Sequence, residues 1–149
     1  MKAISLWQPW ASAIALGCKR IETRHWATHY RGPIAIHAAK RWTLEEREFA
    51  ASVACRHDVR LRTPPLGAVV ALAKLVACRR SEDIIAEGIS DMEEDFGNYG
   101  PSRFGWILRD IVPLPAPVPF SGHQGLFDVP DALFSNAAPV ADTAQGALL

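Results

Sequence analysis

Cysteine is scarce in this 149-residue chain, which contains three, Cys18, Cys55 and Cys78. An odd number cannot pair completely, and none of them stands at C-x-x-C spacing, so the sequence indicates neither a disulfide framework nor a zinc knuckle. Unpaired thiols favour a reducing compartment, and we expect a cytoplasmic protein. No apolar run approaches the roughly 20 residues of a membrane-spanning helix, so we expect no membrane partner.

Common nucleotide and metal motifs are also missing. The chain has no Walker loop, no G-x-G-x-x-G, no H-E-x-x-H and no G-x-S-x-G. The sequence therefore lacks the usual motifs of nucleotide hydrolases, of dinucleotide-binding proteins and of hydrolases with a nucleophile elbow. His25 and His29 are four residues apart, but they lie in a predicted loop with no carboxylate close in sequence. We predict no metal site and no cofactor.

The formal net charge is zero, because 16 Lys and Arg residues are balanced by 16 Asp and Glu residues. Taken alone, this balance argues against a nucleic-acid binder. The charges are nevertheless unevenly distributed, since residues 1–80 have a formal charge of +9 and residues 81–149 one of −9. Such a division indicates a surface that faces a polyanion and a separate acidic surface, unless folding interleaves the halves and cancels the field.

The composition that remains is typical of one globular domain, with 49% hydrophobic and 21% charged residues. We expect this domain to occupy residues 1–134, followed by an Ala-rich, disordered tail over 135–149. No internal repeat divides the chain.

Apolar patterning predicts more strands than helices. Because the strands need not be parallel, the predicted fold class is α+β, with a small, partly open β-barrel and flanking helices. Strand 67–78 is expected near the middle of the sheet. The predicted strands are 3–7, 19–24, 33–38, 67–78, 103–112 and 125–129, and the predicted helices are 8–16, a segment from 43 onward, and part of the acidic stretch 81–96.

Local signals mark the ends of these elements. Gly17 ends the first helix, and Thr43 with Glu46 three residues later forms a capping-box pattern at the second. Ser81 is the predicted N-cap of the acidic stretch. The run 113–119, with proline at every second position, is predicted to be extended but not to be a central strand.

Three charged side chains, Lys19, Glu22 and Arg24, follow the first predicted helix within one short strand. Alternation places Glu22 and Arg24 on the same face, which is unusual for a core strand. Arg24 offers a planar fork of donors for a phosphate or a base edge, Lys19 a compact cation, and Glu22 an acceptor. The alternative is a structural ion pair that closes the barrel, worth about 0–1 kcal/mol if exposed.

Aromatic and basic residues surround these three side chains. Single-stranded nucleic acid is bound in basic grooves whose aromatic side chains stack on the bases. We expect Trp7 and Trp106 to pack in the core, and His37 to be a core histidine with satisfied hydrogen bonds. The candidates for ligand contact are Trp10, Trp26, Tyr30 and Lys40.

The pattern G-x-K-x-x-E-x-R over 17–24 resembles the signature of the ASCH domain family, in the PUA-like superfamily of small RNA-associated barrels. Further blocks agree in order: SLWQPWAS at 5–12, YRGPIAIHAAK at 30–40, RFGW at 103–106 and GHQGL at 122–126. The resemblance covers about residues 3–130. It implies a β-barrel closed on one side by helices, a cleft lined by Lys19, Glu22 and Arg24, and Arg103 within reach of that cleft.

The resemblance also implies binding of single-stranded RNA or of a modified nucleoside. Some members of the family look like amidohydrolases that act on N4-acylated cytidine with a lysine, a threonine three residues later and a distant glutamate. Lys19 matches this lysine, but Glu22 stands in place of the threonine. If the protein is an enzyme, Lys19 and Glu22 are the predicted catalytic residues, with Glu22 as general base. Single-strand ribonuclease activity remains open, as does a protein-interaction adaptor.

Overall fold

The computed structural model describes residues 1–135, and these form one six-stranded sheet with four α-helices. The tail predicted to be disordered lies outside the described residues, apart from Ser135. The strands are β1 (Lys2–Leu6), β2 (Ile21–Arg24), β3 (Gly32–Ala38), β4 (Ala68–Arg80), β5 (Phe104–Pro119) and β6 (Leu126–Asp128). The helices are α1 (Trp10–Ala15), α2 (Leu44–Arg56), α3 (Ser81–Glu87) and α4 (Asp91–Asp95).

The sheet is mixed and has the strand order β2-β5-β4-β3-β1-β6. Strands β1 and β3 pair in parallel, whereas the other neighbours are antiparallel. The β4–β5 pairing shifts register at three places, and such irregularities bend a strand and increase its twist. The result is a curled half-barrel, which confirms the predicted α+β class, and β4 lies inside the sheet as predicted.

The core lies between this sheet and helix α1. Ala11 and Ile14 of α1 pack into a cluster with Ile34, Ile36 and Trp106, all of them buried. Burying each large apolar side chain contributes about 1.5–3 kcal/mol. The predicted core position of Trp106 is confirmed, and α1, which precedes Lys19 in the chain, is held against β3 and β5.

Two of the three predicted helix-end signals are confirmed. Gly17 follows α1 with φ +81°, the left-handed conformation that glycine adopts without steric cost. Thr43 and Glu46 form the capping box of α2. The prediction for Ser81 was wrong, because β4 runs directly into α3 and makes Ser81 the first helical residue, while Ser90 caps the separate helix α4.

The proline run is part of strand β5, where it pairs with β4 alone. On its other edge β5 pairs with β2 only over Phe104 to Ile107. Within the described residues, this edge of segment 113–119 therefore has no neighbouring strand. Pro113 and Pro119 lie opposite Ala71 and Ala68 of β4, and residues 114–117 between them bulge out of the pairing. Proline at such positions protects an edge from pairing with other chains.

No helix within residues 1–135 is both long and apolar enough to cross a membrane.

Candidate nucleic-acid interface

Lys19 lies between α1 and β2 and is completely buried. Its Nζ donates to the carbonyl oxygens of Ile21 at 2.6 Å and Phe96 at 2.7 Å. It also lies 3.5 Å from Oε1 of Glu22. Burial lowers the pKa of Lys19, and the Glu22 carboxylate opposes that shift. Lys19 is thus a buried cation that supports both the chain around it and the carboxylate of Glu22.

Glu22 joins Lys19 to Arg24. Its Oε2 accepts from Nη2 of Arg24 at 3.2 Å, and its Oε1 accepts from the backbone N–H of Thr23 at 3.1 Å. The same Nη2 donates to the carbonyl oxygen of Ser5 at 2.9 Å. Arg24 Nε is buried without a partner among residues 1–135. The guanidinium is therefore fixed through one nitrogen and keeps unused donors.

Two adjoining clefts meet at Arg24. The first, which we call the Glu22 cleft, has a volume of about 580 Å³ and contains Glu22. The second, the His37 cleft, has a volume of about 850 Å³ and contains His37. Four residues border both clefts and form what we call the shared wall: Ser5, Trp7, Arg24 and His25.

The predicted contact residues divide between these clefts. Trp10 and Arg103 line the Glu22 cleft, and Trp26 and Lys40 line the His37 cleft. Lys19 and Tyr30 line neither cleft. Tyr30 packs against the core and its hydroxyl donates to the carbonyl of Pro33. The roles in ligand binding and catalysis assigned to these side chains stay predictions.

Arg103 and the two lining tryptophans are held in place by neighbours. Arg103 donates from Nε to the carbonyl of Asn98 at 3.0 Å and from Nη2 to the carbonyl of Thr23 at 3.2 Å. Trp10 stacks on Phe49 with ring centroids 4.8 Å apart. Trp26 meets Trp106 edge to face at 4.7 Å. The walls of both clefts are therefore ordered by packing.

The core assignment of Trp7 was wrong, because this side chain is 50% exposed. Strand β1, whose residues are buried or half-buried, ends at Leu6, so Trp7 stands just beyond it. The guanidinium of Arg41 lies 4.0 Å from the Trp7 ring centroid. The available signal was its position between the end of a strand and the start of a helix.

Ser5 and His37, neighbours on the parallel strands β1 and β3, form a hydrogen-bonded pair that sequence reasoning did not connect. His37 Nε2 lies 2.7 Å from the carbonyl oxygen of Phe120, which can only accept, so this nitrogen carries the proton. Burial lowers the pKa of His37, and in the neutral ring Nδ1 accepts from the Ser5 hydroxyl at 2.8 Å. The prediction of a buried histidine with satisfied nitrogens is confirmed, and His37 also borders a cleft.

Gly122 closes over this pair. A Cβ at this position would lie 2.6 Å from Cε1 of His37 and 3.0 Å from Oγ of Ser5. These separations are shorter than van der Waals contact, so the segment after β5 approaches the pair closely only because residue 122 has no side chain.

No group of three or more metal-ligating side chains is found in the described part of the chain.

Fold and site together define a small α+β domain: a curled half-barrel with a charged, aromatic-lined pair of clefts at the end of β2. The model of the ASCH domain matches residues 4–113. Because this match covers more than half of the sequence, the chain belongs to the ASCH domain family.

Solved structures agree with the fold. The ASCH protein of Zymomonas mobilis superposes with a TM-score of 0.54 at 19% identity, covering 93% of this chain and 94% of that chain. A tyrosine-to-phenylalanine variant of the same protein superposes with a TM-score of 0.55 at 19% identity, covering 93% of this chain and 96% of the variant. The human protein "Activating signal cointegrator 1" is 26% identical over 139 residues, or 90% of this chain, which spans only 23% of that relative's length.

Proposed function

We propose that this ASCH domain binds single-stranded RNA, or a modified nucleoside, in the clefts that meet at Arg24. The observation that carries the proposal is the state of the Arg24 guanidinium. It is anchored through Nη2 to Glu22 and to the Ser5 carbonyl, and its Nε is buried. Nη1, which has no partner among residues 1–135, is therefore the donor available to a ligand at a fixed position.

The chemistry around Arg24 suits a nucleotide. A guanidinium with free donors binds a phosphate or the acceptor edge of a base. Glu22 lines the same cleft, and its carboxylate can accept from the exocyclic amine of a base. Lys19 contributes to this site indirectly, because its buried ammonium helps to hold the Glu22 carboxylate in place. In this proposal Lys19 is a positioning residue.

The size and lining of the clefts also support the proposal. Small-molecule sites are usually concavities of roughly 300–1,000 Å³, and both clefts fall in that range. Tryptophans line each cleft, and single-stranded ligands are held by stacking on such rings. Association with RNA is the general expectation for ASCH domains, and the activity of the much longer human relative is not carried over here.

The proposal is tested by titrating a fluorescein-labelled single-stranded oligoribonucleotide with the protein and following anisotropy. Arg24→Ala is expected to weaken binding by about 10- to 150-fold, because a charge-assisted contact is worth about 1.5–3 kcal/mol. The control is Arg47→Ala, which removes an exposed arginine of α2 that borders neither cleft. Circular dichroism of both variants verifies that they are folded.

Equal weakening by Arg24→Ala and Arg47→Ala would place binding elsewhere on the surface. Absence of binding by the wild-type protein to RNA, cytidine and N4-acetylcytidine alike would refute the proposed function.

A further inference from the structure

Trp7 is the one aromatic side chain among residues 1–135 that is exposed at half its surface. It belongs to the shared wall and therefore borders both clefts. A single exposed apolar side chain is common and needs no explanation by itself. The arrangement of charged groups behind Trp7 is what sets it apart.

Arg41 lies over the Trp7 ring and is itself held by Glu46. Its Nε donates to Oε1 of Glu46, while Oε2 of the same carboxylate accepts from the backbone N–H and the hydroxyl of Thr43. Glu46 is only 2% exposed. The capping box of α2 thus holds a guanidinium over the ring of an exposed indole.

The surroundings of the exposed Trp7 ring suit a planar anionic ligand. A cation already lies on the ring, and Arg24 and Lys40 line the cleft beside it, so a second cationic ligand would be repelled. A nucleotide combines a flat base, which stacks on an indole, with a phosphate, which is attracted by these cations.

We infer that Trp7, held by Arg41, is a stacking platform for one unpaired nucleobase, placed so that the attached phosphate or base edge meets Arg24. This inference rests on the proposed function and assigns it a base-binding subsite. Arg24 is anchored to the carbonyl of Ser5, two residues before Trp7, so the guanidinium is held close along the chain to the platform, at the end of β1.

The test compares two ligands, a labelled oligouridylate and an oligomer of the same length in which the bases are missing and the phosphates remain. Trp7→Ala is expected to weaken oligouridylate binding about 5- to 150-fold, the range found for loss of one stacked base. Binding of the abasic oligomer is expected to stay unchanged. Trp7→Phe is expected to retain part of the affinity, because a smaller ring still stacks.

Leu44→Ala serves as the control, since Leu44 is an exposed apolar residue of α2 that lines neither cleft. If wild-type protein and Trp7→Ala bind oligouridylate equally, the platform is wrong and the proposed function stands. If Trp7→Ala weakens both ligands equally, its effect is not stacking and the platform is again wrong. If wild-type protein binds neither ligand nor a free nucleoside, both proposals fail together.

Discussion

The carboxylate of Glu46 is buried, yet it stays ionised well into the acid range. Hydrogen bonds from Thr43 and then from Arg41 lower its pKa from 4.5 to about 2. Since the pKa in the folded state lies below that in the unfolded state, Glu46 stabilises the fold fully above pH 4.5. This contribution is lost as the pH falls from 4.5 toward 2.

Glu46→Gln is therefore expected to lower the free energy of unfolding at pH 7. The difference between wild type and variant should shrink as the pH falls through that window. Urea denaturation at a series of pH values measures this difference. Glu48→Gln, an exposed change in the same helix, is expected to leave it near zero, and a constant difference for Glu46→Gln down to pH 2 would contradict the linkage.

Lys19→Met is expected to destabilise the protein by about 3 kcal/mol, because two buried carbonyl oxygens lose their donor and Glu22 loses a cation. The pKa of Lys19 is lowered by burial, so the folded state releases this proton at a lower pH than the unfolded state. The stability of wild type relative to Lys19→Met should therefore rise with pH toward 10.5. Chemical denaturation between pH 7 and 10 measures it; a falling difference would contradict the lowered pKa.

For single residues, the sequence predicted that Lys19, Glu22 and Arg24 lie together, but it did not predict how buried or exposed these side chains are. Alternation along one strand was enough to place Glu22 beside Arg24. The burial of Lys19 depends on Phe96, which comes from a segment far along the chain, and no local pattern contains that contact. Trp7 was misassigned because hydrophobicity alone does not show that the strand ends one residue earlier.

At the scale of elements, the segment that follows β5 forms a wall of the His37 cleft and depends on Gly122. Gly122→Ala is expected to destabilise the protein by about 1–3 kcal/mol, because the new methyl group overlaps the His37 ring and the Ser5 hydroxyl. Thermal and urea unfolding measure the loss, and Ser121→Ala, an exposed neighbour, is the control. Equal stability of Gly122→Ala and Ser121→Ala would show that this segment moves away without cost.

Element boundaries were predicted correctly where a local interaction sets them. The capping box of α2 involves residues three apart, so the sequence contains both partners. The start of α3 is different, because Ser81 donates its backbone N–H to the carbonyl of Arg103, the residue before β5. Strand β5 continues past its predicted end because of another distant contact. Both ends of the proline run pair with β4, Pro113 with Ala71 and Pro119 with Ala68.

At the scale of the whole molecule, the basic and acidic halves of the sequence are interleaved in the fold. Cations of the first half pair with acids of the second, as in Arg56–Asp95, Arg79–Glu87 and Lys2–Asp128. The interleaving considered from the sequence is thus found, and much of the +9 of the first half is neutralised by contacts. Tertiary structure decides this for Arg56–Asp95 and Lys2–Asp128, whose partners lie far apart along the chain.

RNA binding is consequently expected to depend only moderately on salt. Arg24, Lys40 and Arg103 line the clefts and Arg41 lies beside them. With about 0.7 counterions released per phosphate contact on a single strand, these four give a slope of log affinity against log salt of about −2 to −3. Anisotropy titrations in increasing KCl measure the slope. A slope near −6 would mean that the whole basic half follows the backbone, and a flat response would exclude phosphate contacts.

The shared wall places the half-exposed Trp7 on the border of both clefts. In the proposed arrangement a base stacks on Trp7, and a base inside a duplex cannot do so, because neighbouring pairs cover both of its faces. Discrimination against duplexes is therefore expected. A hairpin with a fully paired stem should compete poorly with an unstructured oligomer of equal charge, and loops or frayed ends should be the places where the protein enters a folded transcript.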